Sequence, residues 1–286
     1  MSKKNDSDWD IIITSKPNLF KLELNEIWKY RDLIFIFVKR DIISIYKQTI
    51  LGPIWFLFGP LFTVFTYTFI FGEIAKISTD GLPGPLFYVS GTLLWNYFQG
   101  CFNGTSTVFS ANAAVFGKVY FPRLVVPISL IISNLLKLGL QFLTYLFFYI
   151  YYRSTGKYNF IELNSTIAYI PLLILLLAGL GLGLGLIVSS LTSKYRDLTM
   201  IVGVFMTLVM YASPIMYPIS SIPEIYKPYL SINPISPIIE AFRYAFTSTG
   251  IFEINGLIYS CIFTFVALII GVFVFNKTEK TFMDTI

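Results

Sequence analysis

Apolar residues occupy this chain in long blocks separated by short polar connectors. Six blocks are long enough to cross a bilayer, at about 50–72, 86–109, 124–152, 165–190, 198–217 and 254–275. A hydrocarbon core of about 30 Å needs roughly 20 apolar residues at helical rise. None of the blocks alternates with the ten-residue period of a barrel strand, so an all-α integral membrane fold with six transmembrane helices is expected. Ahead of them, Leu19, Leu22, Leu24, Ile27 and Trp28 recur at helical spacing, with Lys21, Glu23, Glu26 and Lys29 between them. This pattern, with Trp28 and Tyr30 close to the first span, predicts an amphipathic helix flat in the membrane interface. A soluble helix packed on another protein is the alternative. The apolar run Leu33 to Val38 is cut short by Lys39-Arg40-Asp41, so no cleavable signal peptide is expected and the first span stays in the membrane.

The connector between the fifth and sixth blocks, "SPIMYPISSIPEIYKPYLSINPISPIIEAFRYAFTSTG", holds prolines 214, 218, 223, 228, 234 and 237. They forbid one long helix, yet the segment is too apolar for a solvated loop. Broken helices at membrane depth are tolerated where protein buries them or where they line a cavity. Two short re-entrant helices on the outer face are therefore expected, the second starting near Ser236-Pro237 with Ser as cap and Pro in the first turn. Glu240 and Arg243, three apart, then share a face and can pair. The chain divides into a cytoplasmic N-terminus (1–49), a transmembrane unit (50–276) and a cytoplasmic tail (277–286).

Composition agrees with membrane residence: of 286 residues 55% are hydrophobic and only 13% charged, with mean hydropathy +0.70. Residues 1–49 contain nine Lys and Arg, and the connectors 110–123 and 191–197 and the tail after 275 contain two each. The opposite side has Lys76, Arg153, Lys157, Lys227 and Arg243. By the positive-inside rule both termini are cytoplasmic. The net charge of +5 reflects this asymmetry and gives no reason to invoke nucleic acid, since seven acids interleave with the N-terminal bases.

Much chemistry is missing. There is no histidine, which removes the commonest general base and metal ligand. Gly117-Lys118 and Gly156-Lys157 lack the upstream glycine and following Ser/Thr of a phosphate-binding loop. None of the sixteen acids falls in the six blocks, where an ion-coupled carrier would keep them. Lys137 is the one ionisable residue there, either contacting an anionic group in the bundle or snorkelling near a helix end. Asp6-Ser7-Asp8 resembles a metal-dependent transferase motif but lies ahead of any folded element. Cys101 and Cys261, inside blocks 2 and 6, read as small packing residues. Gly179, Gly181, Gly183 and Gly185 form two G-x-x-x-G pairs on adjacent helix faces, for packing within the bundle or for a dimer seam. Trp55, Phe58, Phe62, Phe65 and Phe69 stripe the first block, Trp95, Phe98, Phe102 and Phe109 the second, and Tyr145, Tyr149 and Tyr152 the third. Such a lining suits a polymer of sugar rings that must slide; lipid contact and interfacial belts are the alternative.

The stretch "FGKVYFPRLVVP", residues 116–127, is too aromatic and too basic for a simple turn, which is normally rich in Gly, Asn or Ser. Together with "RDLIFIFVKRDIISIYKQTILGPIWFLFGPL" (31–61), "SKYRD" (193–197) and "NPISPIIEAFRYAF" (233–246), in that family's order, it resembles the permease subunit of type-2 ABC exporters for bacterial polysaccharides, the O-antigen and teichoic acid export family. The resemblance implies two copies of a six-span subunit in the bacterial cytoplasmic (inner) membrane, two copies of a separate ATP-binding subunit, and an undecaprenyl-linked glycan passing between the permease copies. ATP and magnesium are then bound by the partner, with no cofactor in this chain. Lys118, Tyr120, Phe121 and Arg123, with Tyr195, Arg196 and Asp197, become the ATPase contacts. Pro234, Pro237, Glu240 and Arg243 fall on outer gate helices. Arg31, Lys39, Arg40 and Lys47 are candidates for the lipid pyrophosphate, or serve as plain positive-inside anchors. A type-2 ABC permease for a drug or another lipid, and a membrane glycosyl- or acyltransferase, are the competing functions.

Overall fold

The computed structural model describes residues 24–47, 54–119, 121–158, 161–195 and 197–282. These are helical, with no strand among them. Two short helices come first, α1 (Leu24–Lys29) and α2 (Arg31–Tyr46), hinged at Tyr30. Residues 19–23 of the expected interfacial helix lie outside the described residues. The charges at 39–41 do not end α2. Arg40 and Asp41 pair side by side at 2.8 Å, and the Arg40 guanidinium lies 4.8 Å from the Phe37 ring centre.

The long helices follow: α3 (Trp55–Tyr67), extended by a π-helical turn Thr68–Ile74; α4 (Gly84–Ser106); α6 (Val125–Ser154). A short helix, α5 (Val108–Phe116), precedes α6 and is kinked at Asn112. Then come α7 (Ile170–Thr192), α8 (Leu198–Tyr211), the single turn α9 (Lys227–Ser231), α10 (Ser236–Thr247) and α11 (Ile254–Phe282). Pro85, Pro171, Pro228 and Pro237 sit in the first turns of α4, α7, α9 and α10, where a missing N–H costs nothing.

Among the described residues four helical stretches are long and apolar enough to cross a membrane: Leu57–Ile74, Val125–Ser154, Ser165–Thr192 and Ile254–Glu279. At 23 residues α4 has the length, but Ser90, Thr92, Asn96, Gln99 and Asn103 dilute its hydropathy. With 14 residues α8 is short, because the chain turns at Ser213-Pro214 and does not run helical to 217. Glu73, exposed, falls within the last turn of the first stretch.

The centre of the bundle is α7, flanked by α4 and α11. Added Cβ atoms explain why. At Gly181 one would lie 2.6 Å from Cys101 Cβ on α4, and at Gly183 one would lie 2.7 Å from the Ala267 carbonyl carbon on α11. One at Gly185 would overlap the Thr105 hydroxyl, which itself donates to Gly181 O at 3.0 Å. The two glycine pairs therefore serve two seams within one protomer: 181/185 against α4 and 179/183 against α11. In lipid, where apolar burial drives little, such close backbone approach is what holds helices together.

Chain ends and connectors segregate. Apolar residues of α1, α2, α5, the 117–124 connector and the end of α11 share one cluster. At the opposite end the hydroxyl of Ser220 donates to Asp80, and that of Ser248 donates to the Glu162 carbonyl. Both described termini thus lie at one end of the bundle.

Candidate functional site

At the end away from the termini, α10 carries a buried ion pair. Pro234 and Pro237 deliver the chain into α10, and Tyr259 and Ser260 of α11 donate to the carbonyls of Ile232 and Pro234 to hold that corner. The Arg243 side chain donates to Glu240 Oε1 at 3.1 Å and to Ser90 Oγ at 3.0 Å, and reaches the Ile215 carbonyl at 3.5 Å. Its guanidinium carbon lies 3.7 Å from the Phe87 ring centre. The other Glu240 oxygen accepts the Ile251 N–H at 3.4 Å. One side-chain pair thereby ties α10 to α4, to the segment after α8 and to the α10–α11 turn. Gly250, at φ +95°, permits this turn, since a side chain there would press on Glu240 Oε2. Ser236 starts α10 but does not cap it: Ile235 holds the cap position and the Ser236 hydroxyl has no partner among the described residues.

At the terminal end, the connector after α5 divides into an outward and an inward part. Lys118 is exposed and neighbouring Val119 is 60% exposed. Phe121 turns inward, 5.9 Å from Phe37 and 5.8 Å from Phe116. Arg123 is also buried: it donates to the Glu279 carbonyl at 2.9 Å, approaches the Glu279 carboxylate at 3.5 Å, and lies 5.4 Å from the Phe116 ring. Burial pushes the Arg123 guanidinium below its usual range and the Glu279 carboxylate pulls it back. Of the residues of this loop expected to contact the ATP-binding subunit, Phe121 and Arg123 are engaged within the chain itself, by apolar contact and by an ion pair. Tyr195 is 52% exposed and Asp197 exposed at the same end, where the Ser189 hydroxyl of α7 meets the Phe109 N–H of α5. Tyr120 and Arg196 lie outside the described residues.

The basic residues of α2 do not gather. Arg40 and Lys47, seven apart, share a helix face, whereas Arg31 and Lys39 lie on other faces. Arg40 is committed to Asp41, and Lys39 and Lys47 are exposed. Lys137 donates to Asn134 Oδ1 at 3.1 Å.

The aromatic stripes also separate. Trp55 opens α3, and further along it Phe58, Phe62, Phe65 and Phe69 are 40–66% exposed. Trp95, Phe98 and Phe102 of α4 and Tyr145 and Tyr149 of α6 are at most 5% exposed and pack within the protomer. Trp95 lies 5.5 Å from Phe98, and Tyr145 lies 5.0 Å from Phe246 of α10. Phe98 and Phe102 also border an apolar cavity of about 450 Å³ between α4, α7 and α8. Of the three stripes, that of α3 is the one left largely exposed.

Ser90, Phe87 and Glu279 escaped the sequence reading. Nothing local signals them: Ser90 is 153 residues from Arg243 and Glu279 is 156 from Arg123. No group of three His, Cys, Asp or Glu side chains able to hold a metal occurs among the described residues.

These features define a multi-pass helical membrane protein in which polar groups tie helix ends together. The chain belongs to the ABC-2 type transporter family, whose model matches residues 32–247. Three named relatives align along nearly their full length. An O-antigen export system permease protein, RfbA, of Klebsiella pneumoniae is 27% identical over 258 residues, 88% of this chain and 94% of the relative. An RfbA of Myxococcus xanthus is 23% identical over 265 residues, covering 92% and 98%. The polysialic acid transport protein KpsM of Escherichia coli is 27% identical over 251 residues, covering 86% and 93%.

Proposed function

We propose that this chain is the membrane-spanning subunit of an ATP-driven exporter that moves an undecaprenyl-linked polysaccharide, O-antigen-like or a teichoic acid, across the cytoplasmic membrane. The observation that carries the reading is the alignment over more than nine-tenths of relatives named for O-antigen export and polysialic acid transport. In this reading α4 and α8 complete six spans, both termini are cytoplasmic, and α9 and α10 are re-entrant at the outer face. The apolar exterior of α3 and α8 supports a second copy across that surface: only 6% of the α3 stretch is buried, and Met206 is the one buried residue of α8. Phe58, Phe62, Phe65 and Phe69 then face the glycan path. Two ATP-binding subunits meet Lys118, Tyr120 and the 195–197 turn and supply ATP and magnesium. The buried Glu240–Arg243 pair holds the outer gate closed at rest.

The test is made in the native host with the gene switched off. Surface glycan and lipid-linked glycan on the cytoplasmic face are quantified by fractionation. Loss of the first with accumulation of the second is expected. An unchanged glycan profile overturns the reading and favours export of a drug or another lipid.

A further inference from the structure

A small polar island lies between α2, α4 and α6. Lys137, half-buried on α6, donates to Asn134 Oδ1 at 3.1 Å, and an added Cβ at Gly100 of α4 would lie 2.7 Å from the same oxygen. The Lys137 side chain thus leans back along α6 toward the terminal end, as helical side chains do. An ammonium has three donors, and this one makes a single hydrogen bond among the described residues. The carboxylate whose charge acts on it is that of Asp41. Helix α2 lies along α6, and its buried face runs through Ile34, Phe37 and Val38 to Asp41. Arg40 grips one Asp41 oxygen, Oδ1, from Nη2 at 2.8 Å and Nε at 3.0 Å. The other, Oδ2, is buried and has no hydrogen-bond partner among the described residues. Neighbouring helices therefore carry a carboxylate oxygen and an ammonium that are each short of partners, and removing either leaves the other charge uncompensated.

Asp41 also stands at the end of a run of contacts. Phe121, in the connector after α5, lies 5.9 Å from Phe37, and the Arg40 guanidinium covers Phe37 at 4.8 Å while it holds Asp41 at 2.8 Å. Beyond Asp41 come Lys137, Asn134 and the turn of α4 at Gly100. We propose that Asp41 and Lys137 are a positioning pair for transport, an electrostatic tie across the α2–α6 seam that makes α6 and α4 follow α2 when the connector moves; this rests on the export function above, with the connector facing the ATP-binding subunit. Ring contact such as Phe121 on Phe37 lets the connector push α2, but it is non-directional and holds little in tension. Opposite charges away from water resist separation and so transmit a pull as well. Coupling between distant sites runs through packed side chains and charge networks of this kind. Neither residue touches the glycan: each acts through the helix it holds.

The test uses the complete exporter, this chain with its ATP-binding subunit, in proteoliposomes supplied with lipid-linked glycan extracted from the host. ATP hydrolysis and glycan translocation are measured on the same preparation. Asp41→Asn and Lys137→Gln, which keep the side-chain shape, each lower translocation about tenfold, the worth of one hydrogen bond to a charged group, with hydrolysis within about twofold of the parent. The double variant is no worse than either single one, because losses within one interaction do not add. Asp41→Glu, which keeps the charge, retains most of the transport. The proposal is overturned by unchanged translocation in either single variant, by losses that multiply in the double, or by hydrolysis and co-purification that fall together with translocation in both single variants, which marks the pair as structural only. A parent exporter that hydrolyses ATP and moves no glycan sinks the export reading itself. A parent that moves glycan alongside unimpaired single variants sinks only the pair.

Discussion

The guanidinium of Arg243 donates to Glu240 at 3.1 Å with both side chains 2–3% exposed, and it is pressed onto the ring of Phe87 from another helix. A pair this deep has little water to fall back on, so removing one partner leaves a bare charge. Arg243→Ala is therefore expected to destabilise the protein by about 3–5 kcal/mol. Paired replacement, Glu240→Leu with Arg243→Met, restores most of that stability, since both charges go together. Thermal unfolding in detergent measures both. An exporter containing the doubly substituted chain is expected to leak, which a dye-efflux measurement on proteoliposomes reads separately. Equal stability of Arg243→Ala and the parent removes the structural role of the pair.

Lys118 and Arg123 lie five residues apart in one connector and are expected to behave differently. Lys118→Glu changes an exposed side chain and weakens co-purification with the ATP-binding subunit without moving the melting temperature. Arg123→Glu sets a carboxylate against Glu279 and lowers the melting temperature as well, because the end of α11 comes loose. Identical behaviour of the two variants would contradict the inward placement of Arg123.

The glycines of α7 offer a test with an internal control. Gly183→Val forces a side chain into the α11 backbone and costs about 1–3 kcal/mol or more. Gly139→Ala and Gly203→Ala, whose added Cβ atoms meet nothing within 4 Å, stabilise or leave the fold unchanged, helix propensity being worth at most about 1 kcal/mol. Denaturant titration in mixed micelles gives the comparison.

Two phenylalanines of the sequence stripes predict opposite outcomes. Phe98→Ala empties a site 1% exposed in the core and costs roughly 3–5 kcal/mol. Phe62→Ala, 66% exposed, leaves unfolding unchanged and lowers glycan export. A stability loss at Phe62 matching that at Phe98 would mean α3 is packed within the protomer.

Much of the fold could be read from the chain. The boundaries 124–152, 165–190 and 254–275 fall within a few residues of α6, α7 with its preceding turn, and the membrane-crossing part of α11. Proline spacing located the broken region between α8 and α11, and the i,i+3 spacing of Glu240 and Arg243 anticipated their bond. The end of α8 was misplaced by six residues because "SPIMYP" is as apolar as the helix before it, and hydropathy does not distinguish helix from turn in such a run.

The amino-acid sequence by itself determined the membrane location, the helices and their approximate ends, because apolar length and proline act through backbone geometry that needs no partner. Only the tertiary structure decided that Arg123 turns inward to Glu279, that the α4 and α6 aromatics are core while those of α3 are not, and which neighbour each glycine of α7 admits. The reason is physical. In a bilayer a lipid-facing residue and a core residue are equally apolar, so periodicity names a helix face without naming what covers it.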